Sequence, residues 1–130
     1  MTNKIELISG FTTSFVLSRE IKADNIEEGF WLSPALDGRM DFPAVAGEHA
    51  YMAISDTDQP STKITNALVF LMEQGYVKTT QIDSSVTPVS GMKLAAGTAG
   101  KLIEFVSGTH DYYVAIVDHA DGDYTYIKIV

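Results

Sequence analysis

Gly91-Met92-Lys93-Leu94, Gly100-Lys101-Leu102 and Tyr113-Val114-Ala115-Ile116-Val117-Asp118 have a faint earlier copy in this chain. It reads Gly29-Phe30-Trp31-Leu32, Gly38-Arg39-Met40 and Tyr51-Met52-Ala53-Ile54-Ser55-Asp56. A constant shift of 62 residues lays residues 29–56 on 91–118 without a gap. Gly, Leu, Gly, Tyr, Ala, Ile and Asp coincide, and a basic residue follows the second Gly each time. Read as a repeat, the two stretches predict pseudo-symmetric halves, with the Tyr-x-Ala-Ile-x-Asp strands near the axis and Ala53 and Ala115 where strands approach closely. The other reading is that Tyr-x-Ala-Ile is generic strand sequence.

Outward from the repeat, the chain reads as short strands broken by turns. Ile5, Leu7 and Ile8 make the first ten residues an arm, either an edge strand or a segment lying on a partner. Residues 11–17 are rich in Thr, Phe and Val, which favour strands. Phe30-Trp31-Leu32 begins a strand that Pro34 interrupts, and Asp37-Gly38 is a tight-turn signal. Residues 50–55 read as an apolar strand and 56–63 as an exposed loop. Residues 64–72 are ambiguous: Ile64, Leu68, Leu71 and Met72 fit a helical stripe ending at Gly75. The β-branched and aromatic content through Val77, Thr79, Thr80 and Ile82 favours instead a hairpin of 68–72 with 76–82 around Glu73-Gln74-Gly75.

Residues 91–94, 101–106 and 112–117 read as strands, and Asp121-Gly122 supplies a positive-φ turn. In residues 124–130, Thr125, Ile127 and Ile129 face one way and Tyr124, Tyr126 and Lys128 the other. Turns about every ten residues predict an all-β fold: a small barrel or sandwich of short antiparallel strands with little helix. The expected organisation is an arm over 1–10 and one β domain over 11–130.

Composition narrows the function classes. The chain has 130 residues, enough for a core without a disulfide or metal. It has no Cys, which removes disulfides, thiolate metal sites and Cys nucleophiles. The net charge is −8 and the isoelectric point about 4.6, with 9 scattered Lys and Arg. Phosphate-backbone binding needs clustered cations, so nucleic acid is not the expected direct partner. The longest apolar run, residues 67–72, is far too short to span a membrane, and the first residues do not read as a signal peptide.

No catalytic motif stands out. Asp56 with Asp58, and Asp118, Asp121 and Asp123 around Gly122, lack EF-hand spacing and read as turn formers. His49, His110 and His119 lack the spacing of a helical zinc pair, although His49 and His110 fall at nearly equivalent places in the repeat. Gly97-Thr98-Ala99-Gly100-Lys101 is followed by Leu102 and is not a phosphate loop. There is no G-x-S-x-G elbow, and Glu27-Glu28 reads as an exposed turn. Neither a cofactor nor a metal is expected. Tyr112 and Tyr113 are adjacent, so a strand would send them to opposite faces and leave one outside. Exposed Tyr is favoured at protein interfaces.

The whole chain resembles the head decoration, or capsid cement, proteins of tailed bacteriophages. The resemblance is carried by the length, the acidic Cys-free composition, Ile26-Glu27-Glu28-Gly29, Gly91-Met92-Lys93-Leu94-Ala95-Ala96-Gly97, the strand Tyr113-Val114-Ala115-Ile116-Val117, and the final strand Tyr126-Ile127-Lys128-Ile129-Val130. It implies a non-enzymatic virion protein, made in the host cytoplasm, that binds the outside of the major capsid protein shell, often as a homotrimer, and stabilises it. Contacts are expected from the termini, which are free to pair. With the exposed aromatics, the expected capsid or subunit interface is Ile5, Leu7, Ile8, Trp31, Tyr112, Tyr124, Tyr126, Ile127 and Ile129. The alternatives are a tail or head-completion protein, a β ligand-binding module using Trp31 and the tyrosines, and an enzyme using His49, His110 and Asp118.

Overall fold

The computed structural model describes residues 4–9, 16–23, 26–54, 69–72 and 75–130. The segments expected at 11–15, 55–63 and 64–68, with Asp56 and Asp58, lie outside these residues. The described residues form an all-β fold of eleven strands in two sheets, with no helix. The strands are β1 (Ile5–Ser9), β2 (Val16–Arg19), β3 (Trp31–Pro34), β4 (Met40–Asp41), β5 (Tyr51–Ala53), β6 (Val69–Met72), β7 (Gly75–Thr79), β8 (Lys93–Ala96), β9 (Leu102–Glu104), β10 (Ala115–Asp121) and β11 (Tyr124–Ile129). One sheet runs β2-β6-β5-β3-β4 and the other β1-β7-β11-β10-β8-β9, and every strand pairing is antiparallel.

Apart from β1, the two sheets share one plan: β2, β6, β5, β3, β4 correspond in order to β7, β11, β10, β8, β9. The turns correspond bond for bond. Ala35 N donates to Arg39 O as Gly97 N does to Lys101 O, and Gly38 N to Ala35 O as Gly100 N does to Gly97 O. Gly29 N donates to Ala53 O as Gly91 N does to Val117 O. In each half the chain just after the first strand returns to the far edge through one parallel bridge, Ile21 with Met40 and Ile82 with Leu102. A single residue pair curls each sheet without closing it into a barrel, so the architecture is a small sandwich.

The correspondence is not the ungapped 62-residue alignment throughout. Leu32 pairs with Tyr51, whereas Leu94 pairs with Ala115. The shift at the fifth strand is therefore 64 residues, and Tyr51 matches Ala115 rather than Tyr113.

Alternation builds the six-stranded sheet. β7 buries Gly75, Val77 and Thr79, and β11 buries Thr125, Ile127 and Ile129, as a half-buried strand of period two must. One core cluster joins Ile5, Val77, Leu94, Ala96, Leu102, Ala115, Val117, Ile127 and Ile129 to Trp31, Ala50 and Met52 from the other sheet. A smaller cluster holds Ile21, Ile26, Leu32, Met40 and Ala53. Trp31 thus crosses from the first half into the core of the second, and the halves are not separately packed.

The hairpin expected at 68–82 does not form. β6 pairs with β2 and β5, and β7 with β1 and β11, so the two strands lie in different sheets. Strand propensity is local, whereas the choice of partner is made by the far larger apolar surface that the two sheets bury together. The first arm is an edge strand on β7, with Ile5 opposite Thr79 and Leu7 opposite Val77.

Candidate interaction surface

Two loops meet where the halves join. The first carries Val45-x-Gly47-x-His49-x-Tyr51 and the second Val106-x-Gly108-x-His110-x-Tyr112, the same pattern 61 residues on. Gly47 N donates to Ala96 O at 2.9 Å, and Tyr112 N donates to Gly47 O at 2.9 Å. A Cβ on Gly47 would stand 2.4 Å from the His110 Cβ, so only the bare backbone fits there. The small Ala95 and Ala96 at the end of β8 let that loop approach. Val106 N donates to His110 Nδ1 at 2.9 Å, which fixes the ring.

Rings line this junction. His49 lies 4.9 Å from Tyr51 and 5.6 Å from Tyr112 by centroid. Phe105 lies 6.0 Å from His110 and 5.4 Å, edge-on, from Tyr113. Lys93 Nζ sits 4.7 Å over the Tyr113 ring. Tyr112 is 53% exposed and Tyr113 38%, with Val45 and Val106 also exposed. Tyr112 and Tyr113 precede β10 rather than lie in it, so both reach the outside instead of opposite faces. The tyrosines and phenylalanine here are of the kind enriched at protein interfaces. Ser33 Oγ donates to the backbone O of His49 rather than to an imidazole nitrogen, so these groups form no nucleophile–base pair.

A second polar cluster covers the outer face of the six-stranded sheet. Tyr76 OH donates to Asp118 Oδ2 at 2.9 Å, and His119 Nδ1 meets the same oxygen at 2.6 Å. These two bonds, His119 first, hold the Asp118 carboxyl below its ordinary range, and the bond to Asp118 raises the Tyr76 phenol. His119 stacks on Tyr126 at 4.2 Å and 13°. Lys78 pairs with Glu6 at 3.0 Å, a bond that raises its pKa, and sits 4.5 Å over Tyr124. Among the described residues, no three His, Asp or Glu side chains gather to hold a metal ion. None of them forms a helix long and apolar enough to cross a membrane.

The expected interface residues divide sharply. Ile5, Trp31, Ile127 and Ile129 are 4%, 1%, 0% and 5% exposed and belong to the core, so none offers a contact surface in this fold. β11 lies between β7 and β10 with both edges paired, so it is not a free terminal strand. Trp31 cannot serve as a ligand platform because its ring is enclosed, and its indole N–H has no partner among the described residues. Leu7 packs partly against the core, Ile8 is 40% exposed, and Tyr124 and Tyr126 are half-buried on the outer face. Tyr112 is the one expected residue at the junction. Of its companions, Tyr113 and His49 also stand out in the sequence, Tyr51 aligns with Tyr112 only when the shift slips from 62 to 61 residues, and Phe105 has no counterpart in the repeat. No protein-family model, curated protein or solved structure matches the chain.

Proposed function

We propose that the protein is a non-enzymatic virion component of a tailed phage, which binds the outer surface of the capsid and stabilises the shell. The observation that supports a binding role is the ring-lined surface at the junction of the halves, where His49, Tyr112 and Tyr113 are exposed and Tyr51 and Phe105 half-buried, held on backbone bonds from both sheets. Rigid aromatic groups bury large areas at little entropic cost, which suits protein contact. The choice of a capsid as partner rests on the resemblance carried by residues 26–29, 91–97, 113–117 and 126–130. A protein that binds only the assembled shell stabilises that state by mass action.

Co-sedimentation with mature heads and with unexpanded precursor heads tests this. Saturable binding to mature heads, weakened roughly 30-fold by Tyr112→Ala, is the expected result. Absence of binding to both kinds of head overturns the capsid reading.

A further inference from the structure

The contact between the two halves is not reciprocal. Three turn glycines recur in the two halves: Gly29 and Gly91, Gly38 and Gly100, Gly47 and Gly108. One member of each pair faces the other half or the strand that completes it. A Cβ on Gly29 would meet Ile5 and Gln81, one on Gly47 would meet His110, and one on Gly100 would meet Phe42 and Phe30. The other member, Gly91, Gly108 or Gly38, meets no described atom within 4 Å. Two backbone bonds between the halves start from that same side of the first half, and Tyr112 N donates back to Gly47 O. Trp31 N donates to Gly100 O at 2.7 Å and Gly47 N to Ala96 O at 2.9 Å. The first half therefore offers the side bearing Gly29 and Gly47, and the second accepts it on the side bearing Gly100. Among the described residues, what stays open is the donor side of the second half and the acceptor side of the first.

The open acceptor side is shaped. A groove of about 410 Å³ lies beside Pro34, Ala35 and Leu36, with Phe42 and Glu48 also on its wall. Leu36 is fully exposed there. Pro34 occupies the position that Ala96 holds in the other sheet, where Gly47 docks. The matching donor is the exposed turn Ser107-Gly108-Thr109 beside Val106, which is 49% exposed.

From this we propose that the groove at Pro34–Leu36 receives the Val106–Thr109 turn of a second copy of the chain, repeating between molecules the contact the halves make within one. Gly108 N then donates to Pro34 O of the next copy, as Gly47 N does to Ala96 O. Such a contact is heterologous, so copies join head to tail and close into a ring when the rotation permits. Three copies in a ring would present six similar units. The proposal concerns the purified chain alone, so its failure leaves the capsid reading standing and failure of the capsid reading leaves it untouched.

Sedimentation equilibrium of the purified protein tests it. The expected result is assembly into a multiple of the 14.2 kDa chain. Leu36→Asp and Val106→Asp are each expected to weaken assembly roughly 30-fold, the loss usual for a central interface side chain. Both residues are exposed, and unchanged circular dichroism confirms that the variants fold. Each variant keeps one intact side, so an equimolar mixture is expected to give a dimer holding one chain of each, which neither forms alone. A wild-type chain still monomeric at about 1 mM, where even a millimolar contact is half-formed, overturns the proposal. So does wild-type assembly that neither substitution weakens.

Discussion

Gly47 rests on the backbone of His110: a Cβ at Gly47 would fall 2.4 Å from the His110 Cβ and 2.8 Å from its Cα. Its counterpart Gly108 has the same left-handed backbone, φ 87° against 86°, and no described atom within 4 Å of where its Cβ would stand. Ala at Gly108 meets only the backbone penalty, about 1–2 kcal/mol. Ala at Gly47 adds a collision with backbone that cannot swing aside, for a total of about 3–5 kcal/mol. Urea unfolding of the two variants in dilute solution measures the difference, and equal losses would remove the close approach as its cause.

Ile127 and Lys128 are neighbours on β11 with opposite fates. Ile127 is enclosed by the shared core and Lys128 is exposed. Ile127→Ala is expected to cost about 2–5 kcal/mol and Lys128→Ala less than about 0.5 kcal/mol. Denaturant midpoints at unchanged slope check both.

The single Trp31 is 1% exposed, inside the core that the two sheets share. Its fluorescence is expected to be blue-shifted, nearly insensitive to acrylamide and indifferent to added sugars, and to move to the red only on global unfolding. Trp31→Ala should cost about 3–5 kcal/mol. Ready quenching in the folded protein would contradict the packing.

Acid should weaken the protein partly through Asp118. Its folded pKa is lowered by the bonds from His119 and Tyr76. A depressed carboxylate contributes stability that is present above its unfolded pKa of about 3.9 and is lost as the pH falls through the lower folded value. Asp118→Asn is expected to be less stable than wild type at neutral pH, with the gap shrinking below about pH 4. Stability curves from pH 2 to 7 for both proteins check the sign, and a gap that stays constant with pH would rule the linkage out.

The strand pattern was legible in the sequence where burial repeats every second residue, as at Thr125, Ile127 and Ile129. Turns were legible where they need a particular residue: Gly38 and Gly122 both have positive φ. Pairing was not legible. Met72 lies opposite Val16, and nothing near Met72 in the chain says so. The candidate surface was half visible. Tyr112 was recognisable as an exposed aromatic, but His49 stands against it only because two loops of different sheets meet at Gly47. Trp31, Ile5, Ile127 and Ile129 misled for one reason: apolar side chains suit an interior and an interface equally, and only the strand order decides between them.

The pairing of β1 with β7 also sets the order of events during synthesis. Ile5 lies opposite Thr79, 74 positions later in the chain. At roughly 5–20 residues per second, the first strand leaves the ribosome about 4–15 s before its partner exists. Throughout that interval Ile5 and Leu7 lack the strand they pair with, and the second half is completed only by what was made first. A nascent chain halted before residue 75 therefore holds every strand of the five-stranded sheet and one left over. Contacts this distant in sequence also slow folding of the finished chain.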